Sequence, residues 1–420
     1  MAIKHLYKML PKSMKHRLIR KKIKVPDFSN FDYEVKIAET ESEIRQAFEL
    51  IYNQYRKYNY ASKNDFKMRI TPYHMIPNTI ILIVKHKVFN KVVGTCSLIQ
   101  RSSMGLPLEA VFDLSSLVQE KDKVVEISSL AIDPSFNKHS GSITLPLIKF
   151  LTHITLFHLR VSKLLCVVHP FWADLYQAVY GFKKVPGAIT EKYDFANGNP
   201  GVCLYGSTVN VQTHIKKLFK NQKQDFYKFM FSKPESFMHM PKMKYYDQSY
   251  FSFSEESFVN IFKNKEVLFE DLSPEKQIKI QNYFVDHKKY YSNLPLRVFA
   301  TPRSLSRYDF IFNGFAQSEN WNNLSTNITT KTISTGGIGF FSERPMNVGE
   351  VCDIKLRLAS DIVANVKVRV LGSQGNQTYG SELISSCKEW DRFIDHVQNS
   401  FLATAAEGPN VPSKNAVGTT

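Results

Sequence analysis

The runs Thr79-Ile-Ile-Leu-Ile-Val84 and Val92-Val-Gly-Thr-Cys-Ser-Leu-Ile99 are rich in β-branched residues, and the polar stretch Lys85 to Lys91 joins them. Two such runs with a short connection are typical of an antiparallel β-hairpin. Upstream, Tyr33 to Ala38 alternates in polarity like a further strand. A helix is predicted after it, because Thr40 offers a side-chain cap and acidic residues follow in the first turn.

Downstream of the hairpin, strands and helices alternate. Strands are predicted at Val124 to Ile132 and Leu164 to Val168, with a helix from about Thr144 to Arg160 between them. This order indicates an α/β domain, which we expect to end near Val211.

The chain becomes strand-rich beyond Pro295. Six strands are predicted, at Tyr308 to Phe312, Asn327 to Ile333, Gly337 to Phe341, Val351 to Leu358, Ile362 to Leu371 and Tyr379 to Ile384. An amphipathic helix from Glu389 to Phe401 follows. The order fits an all-β six-stranded barrel with a terminal helix. Between His214 and Asn293, a lysine-rich and aromatic segment punctuated by prolines predicts connecting helices.

The size and composition of the chain agree with this division. A chain of 420 residues with 43% hydrophobic and 13% aromatic residues has room for several cores and is not largely disordered. We expect five parts: a basic amphipathic segment (1–28), the α/β domain (30–211), a helical connecting segment (212–294), the barrel (295–403) and a disordered tail (404–420).

The charge of the chain implies an acidic partner. A formal charge of +17 and a pI near 9.4 favour nucleic acid, an anionic membrane surface or an acidic carrier protein. The five cysteines are Cys96, Cys166, Cys203, Cys352 and Cys387. Their wide spacing, with no Cys-x-x-Cys, indicates buried thiols in a reducing cytoplasm and predicts no metal site.

The first 25 residues carry nine lysines and arginines and no acid, interleaved with an apolar stripe that Pro11 interrupts. One interpretation is an interfacial helix that holds the protein peripherally on the inner membrane, or an arm that docks an acidic partner. The other interpretation is a solvated basic tail. Nucleic acid is disfavoured, because no recognisable nucleic-acid-binding fold accompanies the charge.

Several motifs of the α/β domain carry a family resemblance. They are Gly94-Thr-Cys-Ser-Leu98, Met104-Gly-Leu-Pro-Leu-Glu109, Glu126-Ile-Ser-Ser-Leu-Ala-Ile-Asp133, the segment His169 to Phe182, and Asn197-Gly-Asn-Pro-Gly-Val-Cys-Leu-Tyr205. In this order they resemble the N-acyl amino acid synthases, a branch of the GNAT acyltransferases related to the autoinducer synthases. The resemblance implies a GNAT-like mixed sheet with flanking helices. It also implies transfer of a long-chain acyl group from acyl carrier protein to the amine of an amino acid or a similar small amine.

Such a reaction needs a group that accepts the amine proton and donors that stabilise an oxyanion. Glu126 is the candidate for the first role, and its alternative is a strand-end carboxylate paired with a surface lysine. Backbone N–H groups near Leu130 to Ile132 are candidates for the second role. Ser128 is assigned to substrate binding. Ser129 stands where the family usually has arginine.

Three further residues are taken from the resemblance. Arg56 matches a helix end that the family places near the acyl donor, and a plain surface arginine is its alternative. His169 and Tyr176 lie where the superfamily often places a general acid for the leaving thiolate. A histidine before proline is more often structural, so that alternative stays open for His169.

The phosphate-binding loop of the CoA-dependent members is missing. Phe136 to Ile143, at the corresponding position, lacks the (Arg/Gln)-x-x-Gly-x-(Gly/Ala) pattern whose backbone cradles pyrophosphate. This disfavours a CoA-dependent N-acetyltransferase and is consistent with a carrier-protein donor. An inert domain would show the same absence.

Two elements of the C-terminal part carry a second resemblance. Arg303-Ser-Leu-Ser-Arg307 and Thr332-Ile-Ser-Thr-Gly-Gly337 resemble the Arg-x-x-x-Arg and (Asp/Asn)-x-Ser-x-x-Gly motifs of the PilZ domain, which binds cyclic di-GMP. Forked guanidinium donors suit a guanine edge or a phosphate. The resemblance assigns Arg303, Arg307, Thr332, Ser334 and Gly337 to this ligand, and Thr332 departs from the usual Asp or Asn. The alternative is a pair of surface arginines and a plain turn.

The leading hypothesis is thus a cytoplasmic N-acyltransferase regulated by cyclic di-GMP. A non-catalytic cyclic di-GMP effector, whose α/β domain binds a partner or the membrane, is the alternative.

Overall fold

The computed structural model describes residues 10–28, 31–136, 141–220, 225–242, 244–246, 253–263, 265–270, 272–294, 304–322 and 324–400. Arg303, part of the predicted loop Phe136 to Ile143, and the predicted tail lie outside these ranges.

The N-terminal part is a seven-stranded mixed sheet. Its strands are β1 (Tyr33–Ile37), β2 (Thr79–His86), β3 (Lys91–Gln100), β4 (Val124–Ile132), β5 (Lys163–Val168), β6 (Lys183–Tyr193) and β7 (Asn199–Ser207), in the order β1-β2-β3-β4-β5-β7-β6. The predicted hairpin is β2 and β3. All neighbouring strands are antiparallel except β4 and β5.

Four helices accompany this sheet. They are α1 (Lys12–Lys21), α2 (Glu41–Lys57), α3 (Thr144–His153) and α4 (Pro170–Tyr180). The predicted cap of α2 is confirmed, because the Thr40 side chain accepts from the Glu43 N–H while the Glu43 carboxylate accepts from the Thr40 N–H. The helix predicted from Thr144 to Arg160 is interrupted, since a π-helical turn, Ile154–His158, follows α3.

α1 packs against α4 and runs antiparallel to it. Lys12 Nζ donates to Gln177 Oε1 at 2.7 Å, and His16 Nε2 lies 3.6 Å from Asp174 Oδ1, so rising numbers on α1 meet falling numbers on α4. For residues 12–21 these contacts rule out the interpretation as a solvated tail.

The connecting segment is helical, as predicted. It contains α5 (Thr208–Phe219), α6 (Phe226–Phe231), α7 (Glu255–Phe262), α8 (Pro274–Asn282) and α9 (Lys288–Tyr291). α7 to α9 share an aromatic core in which the Phe258 ring centroid lies 5.6 Å from that of Phe284 and 5.3 Å from that of Tyr290.

The C-terminal part is a closed six-stranded antiparallel barrel with a terminal helix, as predicted. The elements are β8 (Asn313–Gln317), β9 (Ser325–Ser334), β10 (Gly337–Ser342), β11 (Val351–Arg357), β12 (Val363–Ser373), β13 (Thr378–Ser385) and α10 (Lys388–Ser400). Around the barrel the order is β10-β13-β12-β11-β8-β9.

The position predicted for the first barrel strand is wrong. Tyr308 to Phe312 forms no strand. Its β-pairing is limited to an isolated bridge between Tyr308 and Ile333. Its alternating aromatic residues instead fill the core, where the rings of Phe310 and Phe312 pack edge-on against Phe393 of α10 at 5.4 and 5.3 Å. The strand begins at Asn313, within a sequence whose Asn-Gly pair is typical of a turn.

Candidate active site

Strands β4 and β5 diverge in the middle of the sheet. They pair in parallel only from Val124 to Glu126, opposite Lys163 to Leu165, although β4 continues to Ile132. A cleft therefore opens between them, and Glu126 occupies its apex.

A bulge in β4 follows directly after this point. On β3, Thr95 pairs with Ala131 and Ser97 pairs with Ser128, so Ser129 and Leu130 have no register partner there. Ser129 has φ +55°, in the left-handed region that costs a non-glycine residue about 1 kcal/mol or more. The bulge turns the backbone groups of Ser129 and Leu130 out of the regular ladder, whereas Ala131 and Ile132 of the predicted Leu130 to Ile132 stretch stay paired with Thr95 and Gly94.

The Glu126 carboxyl group is buried. The residue is 2% exposed, and Oε2 accepts a hydrogen bond from the Leu108 N–H at 3.1 Å. Burial raises the pKa of Glu126 to about 8; the Leu108 N–H lowers it in part, and Glu109 adds to the rise. Among the described residues no lysine or arginine pairs with Glu126, which contradicts the surface ion pair considered for it.

Three tyrosines lie close enough to Glu126 for its charge to affect their pKa. Burial raises the pKa of Tyr55 to about 12, and it raises the pKa of Tyr73 and Tyr193 further still. The Glu126 carboxylate contributes to the rise in the pKa of each of the three. The apex of the cleft is therefore a buried carboxyl group among neutral phenols.

Arg69 is a functional candidate that the sequence interpretation missed. Its guanidinium lies 5.2 Å from the Tyr55 ring centroid and 5.7 Å from that of Phe195, and Nη2 donates to the Phe195 carbonyl. Its Nε is buried without a hydrogen-bond partner among the described residues. Burial lowers the pKa of Arg69, and Tyr55 and Tyr193 oppose this effect. The only signal in the sequence is an arginine between the apolar residues Met68 and Ile70, both buried.

His74 was missed as well. Its Nδ1 accepts from the Thr71 N–H at 3.0 Å, so the ring proton resides on Nε2, which donates to Ser97 Oγ at 3.2 Å. Burial lowers the pKa of His74 to about 3, and the nearby Arg69 charge adds to this. His74 is therefore a neutral donor next to the paired residues Ser97 and Ser128.

The residues taken from the family lie around the cleft. Ser128 precedes the bulge, and its carbonyl accepts from the Cys96 thiol at 3.5 Å. Burial raises the pKa of Tyr176 well above its usual range, with Cys166 and Tyr180 contributing, so the hydroxyl is a neutral donor. Tyr55 also contributes to the rise in the pKa of Tyr176.

Two of the assigned residues make contacts of a structural kind. His169 caps α4, since its Nδ1 accepts from the Phe171 N–H at 3.2 Å, and its ring lies 6.2 Å from that of Tyr60. Arg56 is exposed at the end of α2, where Nη1 donates to the Ala61 carbonyl at 3.1 Å. Their catalytic and substrate-binding roles stay predictions.

The two motifs of the C-terminal part adjoin one another. Tyr308, next to Arg307, exchanges both backbone hydrogen bonds with Ile333, at 2.9 and 2.8 Å. A Cβ on Gly336 would lie 2.8 Å from Leu305 Cδ1. The Arg307 segment therefore runs beside the Thr332 to Gly337 turn.

Three of the assigned residues in that turn serve the barrel itself. Thr332 Oγ1 packs against Gly339, where an added Cβ would lie only 2.5 Å from it. The buried Ser334 Oγ donates to the Gly337 carbonyl at 3.3 Å. A Cβ on Gly337 would lie 2.0 Å from the Ser381 carbonyl oxygen. The barrel thus requires glycine at 337 for close packing, and binding of cyclic di-GMP stays a prediction.

Two further observations concern the described ranges. They contain no cluster of His, Cys, Asp and Glu able to hold a metal ion. None of their helices is long and apolar enough to cross a membrane.

Residues 46–206 match the family model described as N-acyl amino acid synthase FeeM. No curated protein matches the chain. Among solved structures, the chain is similar to FeeM, an N-acyl amino acid synthase from uncultured soil microbes, at 17% identity and a TM-score of 0.37, over 43% of this chain and 94% of that one. It is similar to the AHL synthase LasI at 14% identity and a TM-score of 0.34, over 42% and 90%. It is also similar to the ribosomal-protein-S5-alanine acetyltransferase of Vibrio fischeri at 12% identity and a TM-score of 0.31, over 44% and 97%.

The family match coincides with the diverging sheet, the bulge and the buried Glu126. This combination is that of a GNAT-like mixed sheet with accompanying helices. The protein is an N-acyltransferase, and residues 46–206 of its sheet domain are similar to the N-acyl amino acid synthases.

Proposed function

We propose that the protein moves a long-chain acyl group from acyl carrier protein to the amine of an amino acid, and that cyclic di-GMP at the barrel regulates this transfer. The observation that carries the proposal is Glu126, buried at the apex of the cleft and adjacent to the β4 bulge.

In the proposed reaction, Glu126 accepts the amine proton. The amine nitrogen attacks the thioester carbonyl carbon, an N–C bond forms, and the oxyanion is stabilised by backbone N–H groups of the bulge. The C–S bond then breaks, and the thiolate takes a proton from Tyr176 or from water. A pKa of about 8 for Glu126 supports a proton acceptor matched to an amine near neutral pH.

We further propose that Arg69 binds the carboxylate of the acceptor. The support is its buried Nε, which has no partner in the part of the chain that the structure describes and which a carboxylate oxygen would satisfy. The charges of Arg69 and Glu126 both affect the pKa of Tyr55 and of Tyr193, so these two phenols lie within electrostatic range of both groups. An acceptor held by its carboxylate at Arg69 would direct its amine toward Glu126.

The donor and the membrane are proposed from the surface of the same domain. Acyl carrier proteins are acidic and suit the excess of basic residues. The antiparallel packing of α1 on α4 brings the C-terminal end of α1 toward Phe171 and Trp172, which are 74% and 51% exposed. Met14 and Leu18 are exposed on one face of α1, with Arg17 and Lys21 at matching helical spacing. This mixture of aromatic, apolar and basic side chains favours peripheral contact with anionic lipid.

The test of the enzyme is mass spectrometry of lipid extracts from cells that express the wild type, Glu126→Gln or the matched control Glu191→Gln at equal protein level. Glu191 is exposed on β6. We expect new N-acyl amino acids in the wild type and the control but not in Glu126→Gln. Equal amounts of product from Glu126→Gln would refute the role of Glu126.

The test of the ligand is titration calorimetry with cyclic di-GMP. We expect Arg303→Ala and Arg307→Ala to abolish binding, and Arg357→Ala, which removes an exposed arginine of β11, to leave it intact. Unchanged affinity in both motif variants would overturn the assignment of the ligand to this site.

A further inference from the structure

We propose that Asp309, in the segment that leads into the barrel, is a positioning residue for Glu126 and acts through the loop Arg101 to Ala110. This inference rests on the proposed role of Glu126 as proton acceptor. The two carboxylates are joined by a chain of hydrogen bonds through a loop of ten residues.

The first contact lies at the active-site end of the loop. The Leu108 N–H, in the 3-10 turn Pro107–Ala110, donates to Glu126 Oε2 at 3.1 Å. A backbone hydrogen bond to the ionised form of a carboxyl group lowers its pKa. Burial is the main cause of the raised pKa of Glu126, and the Leu108 N–H opposes it, so the position of Leu108 affects how readily Glu126 ionises.

Hydrogen bonds and one ion pair brace the loop between its two ends. Gly105, at φ +71°, closes a turn in which its N–H donates to the Ser102 carbonyl at 2.9 Å. Glu109 joins the remainder, since Oε2 accepts from the Leu106 N–H at 2.7 Å and Oε1 lies 2.9 Å from Arg101 Nη2. A displacement of Ser103 is thus transmitted to Leu108, because bonded contacts brace the residues between them.

Asp309 holds the other end of the loop. Its Oδ2 accepts from both the N–H and the hydroxyl of Ser103, each at 3.0 Å, and the Tyr283 hydroxyl donates to the same oxygen. Its backbone carbonyl accepts from Asn78 Nδ2 at 3.2 Å, and the Asn78 carbonyl accepts from the Gln100 N–H at 2.9 Å. Asp309 therefore holds the loop through its side chain, and its backbone is joined through Asn78 to Gln100, the last residue of β3 before the loop.

Asp309 is itself held by the helices and the barrel. Two residues upstream, the Arg307 N–H donates to the Asn282 carbonyl at 2.8 Å, and Ser306 exchanges hydrogen bonds with Asp286 at 2.8 and 2.9 Å. Burial alternates along this segment, with Ser306 and Tyr308 buried and Arg307 and Asp309 partly exposed. The placement of the barrel entrance is thereby coupled to the Glu126 carboxylate.

The test uses the full-length protein with palmitoyl–acyl carrier protein as donor and a mixture of the common amino acids as acceptor. The quantity measured is kcat/KM for the donor as a function of pH. The titratable groups that face Glu126 are Glu109 of the loop, Tyr55 of α2, Tyr73, Cys166 of β5, Tyr193 of β6 and Cys203 of β7. None of these is changed by Asp309→Asn or Ser103→Ala. Asp361→Asn, at an exposed turn of the barrel, is the matched control.

In the wild type the rate rises as Glu126 loses its proton. We expect Asp309→Asn to shift this rising part of the pH profile, the Glu126 limb, to higher pH by roughly one unit. The reason is that loss of the Leu108 N–H donor raises the pKa of the Glu126 carboxyl group by about that much. Ser103→Ala, which removes one of the three donors to Asp309, should shift it by less. If Asp309→Asn melts below the assay temperature, Ser103→Ala carries the test.

Two outcomes are contrary, and they differ in what they refute. A limb that Glu126→Gln abolishes but that stays at the wild-type pH in Asp309→Asn and Ser103→Ala overturns the positioning role alone. A limb that persists in Glu126→Gln overturns the assignment of Glu126, and with it both proposals.

Discussion

Replacement of Arg69 by glutamine tests how the acceptor is recognised. Among the described residues, the Arg69 guanidinium has a buried Nε without a hydrogen-bond partner and no carboxylate within ion-pair range. Removing one partner from a desolvated, hydrogen-bonded charge pair costs about 2–5 kcal/mol. We therefore expect kcat/KM for an amino acid acceptor to fall roughly 30-fold to 5,000-fold in Arg69→Gln.

The decisive comparison uses the same amino acid as its carboxamide. The wild type should discriminate against the amide by a factor similar to the loss in Arg69→Gln, and the variant should accept acid and amide almost equally. Arg69→Lys should recover part of the preference, since it keeps the charge but not the planar fork. Acid and amide thus complete a double-mutant cycle between residue and substrate.

Arg69 also contacts Tyr55 and Phe195, so a purely structural role must be distinguished from recognition. Loss of packing would lower the rate for both acceptors by the same factor and leave their ratio as in the wild type. That result would refute the carboxylate site. Arg357→Gln, which removes an exposed arginine of the barrel, is the control and should change neither rate.

Three further predictions follow from burial and packing. Because the pKa of Glu126 is about 8 in the fold and about 4.3 in the unfolded chain, its ionisation opposes folding increasingly between these values. Glu126→Gln should therefore be more stable than the wild type at pH 8, by up to about 4 kcal/mol, and equal to it at pH 4 in denaturant unfolding; equal stability at both pH values would contradict the burial of the carboxyl group. Gly337→Ala should destabilise the barrel by about 1–3 kcal/mol in thermal unfolding, because the added Cβ meets the Ser381 carbonyl, whereas Gly372→Ala meets nothing within 4 Å and should be neutral. Trp172→Ser should weaken sedimentation with anionic vesicles, whereas Val209→Ser, which changes a 70% exposed residue of α5, should not. Equal loss in both variants would refute a specific lipid-binding face.

Much of the fold follows from local patterns. Strand β4 has the predicted bounds, Val124–Ile132, because its β-branched and other apolar residues favour a strand in the middle of the sheet. The cap at Thr40 was equally predictable, since a capping box depends only on residues three apart. The misplaced first strand of the barrel shows the limit: aromatic alternation at Tyr308 to Phe312 fits a strand and a core-filling segment equally well, and contacts with α10 decide between them.

The candidate site was predictable only in part. Glu126 could be proposed because its motif resembles a family, but its burial and its Leu108 partner depend on a loop that follows β3. Arg69 and His74 carry no motif, and they became candidates only when α2, β3 and β6 enclosed them. The roles proposed for Arg303 and Arg307 rest on the motif alone.

The sequence by itself determined the order of strands and helices, the excess of basic residues and the chemical groups that could serve an acyl transfer. These properties depend on neighbouring residues or on simple sums of charge. The tertiary structure decided which groups lose contact with water and which residues far apart in sequence meet. It raises the pKa of Glu126 by burial, leaves the Arg69 Nε unpaired and joins Asp309 to Ser103 across 206 residues. Desolvation and long-range hydrogen bonds arise only when the chain is packed, so no local pattern encodes them.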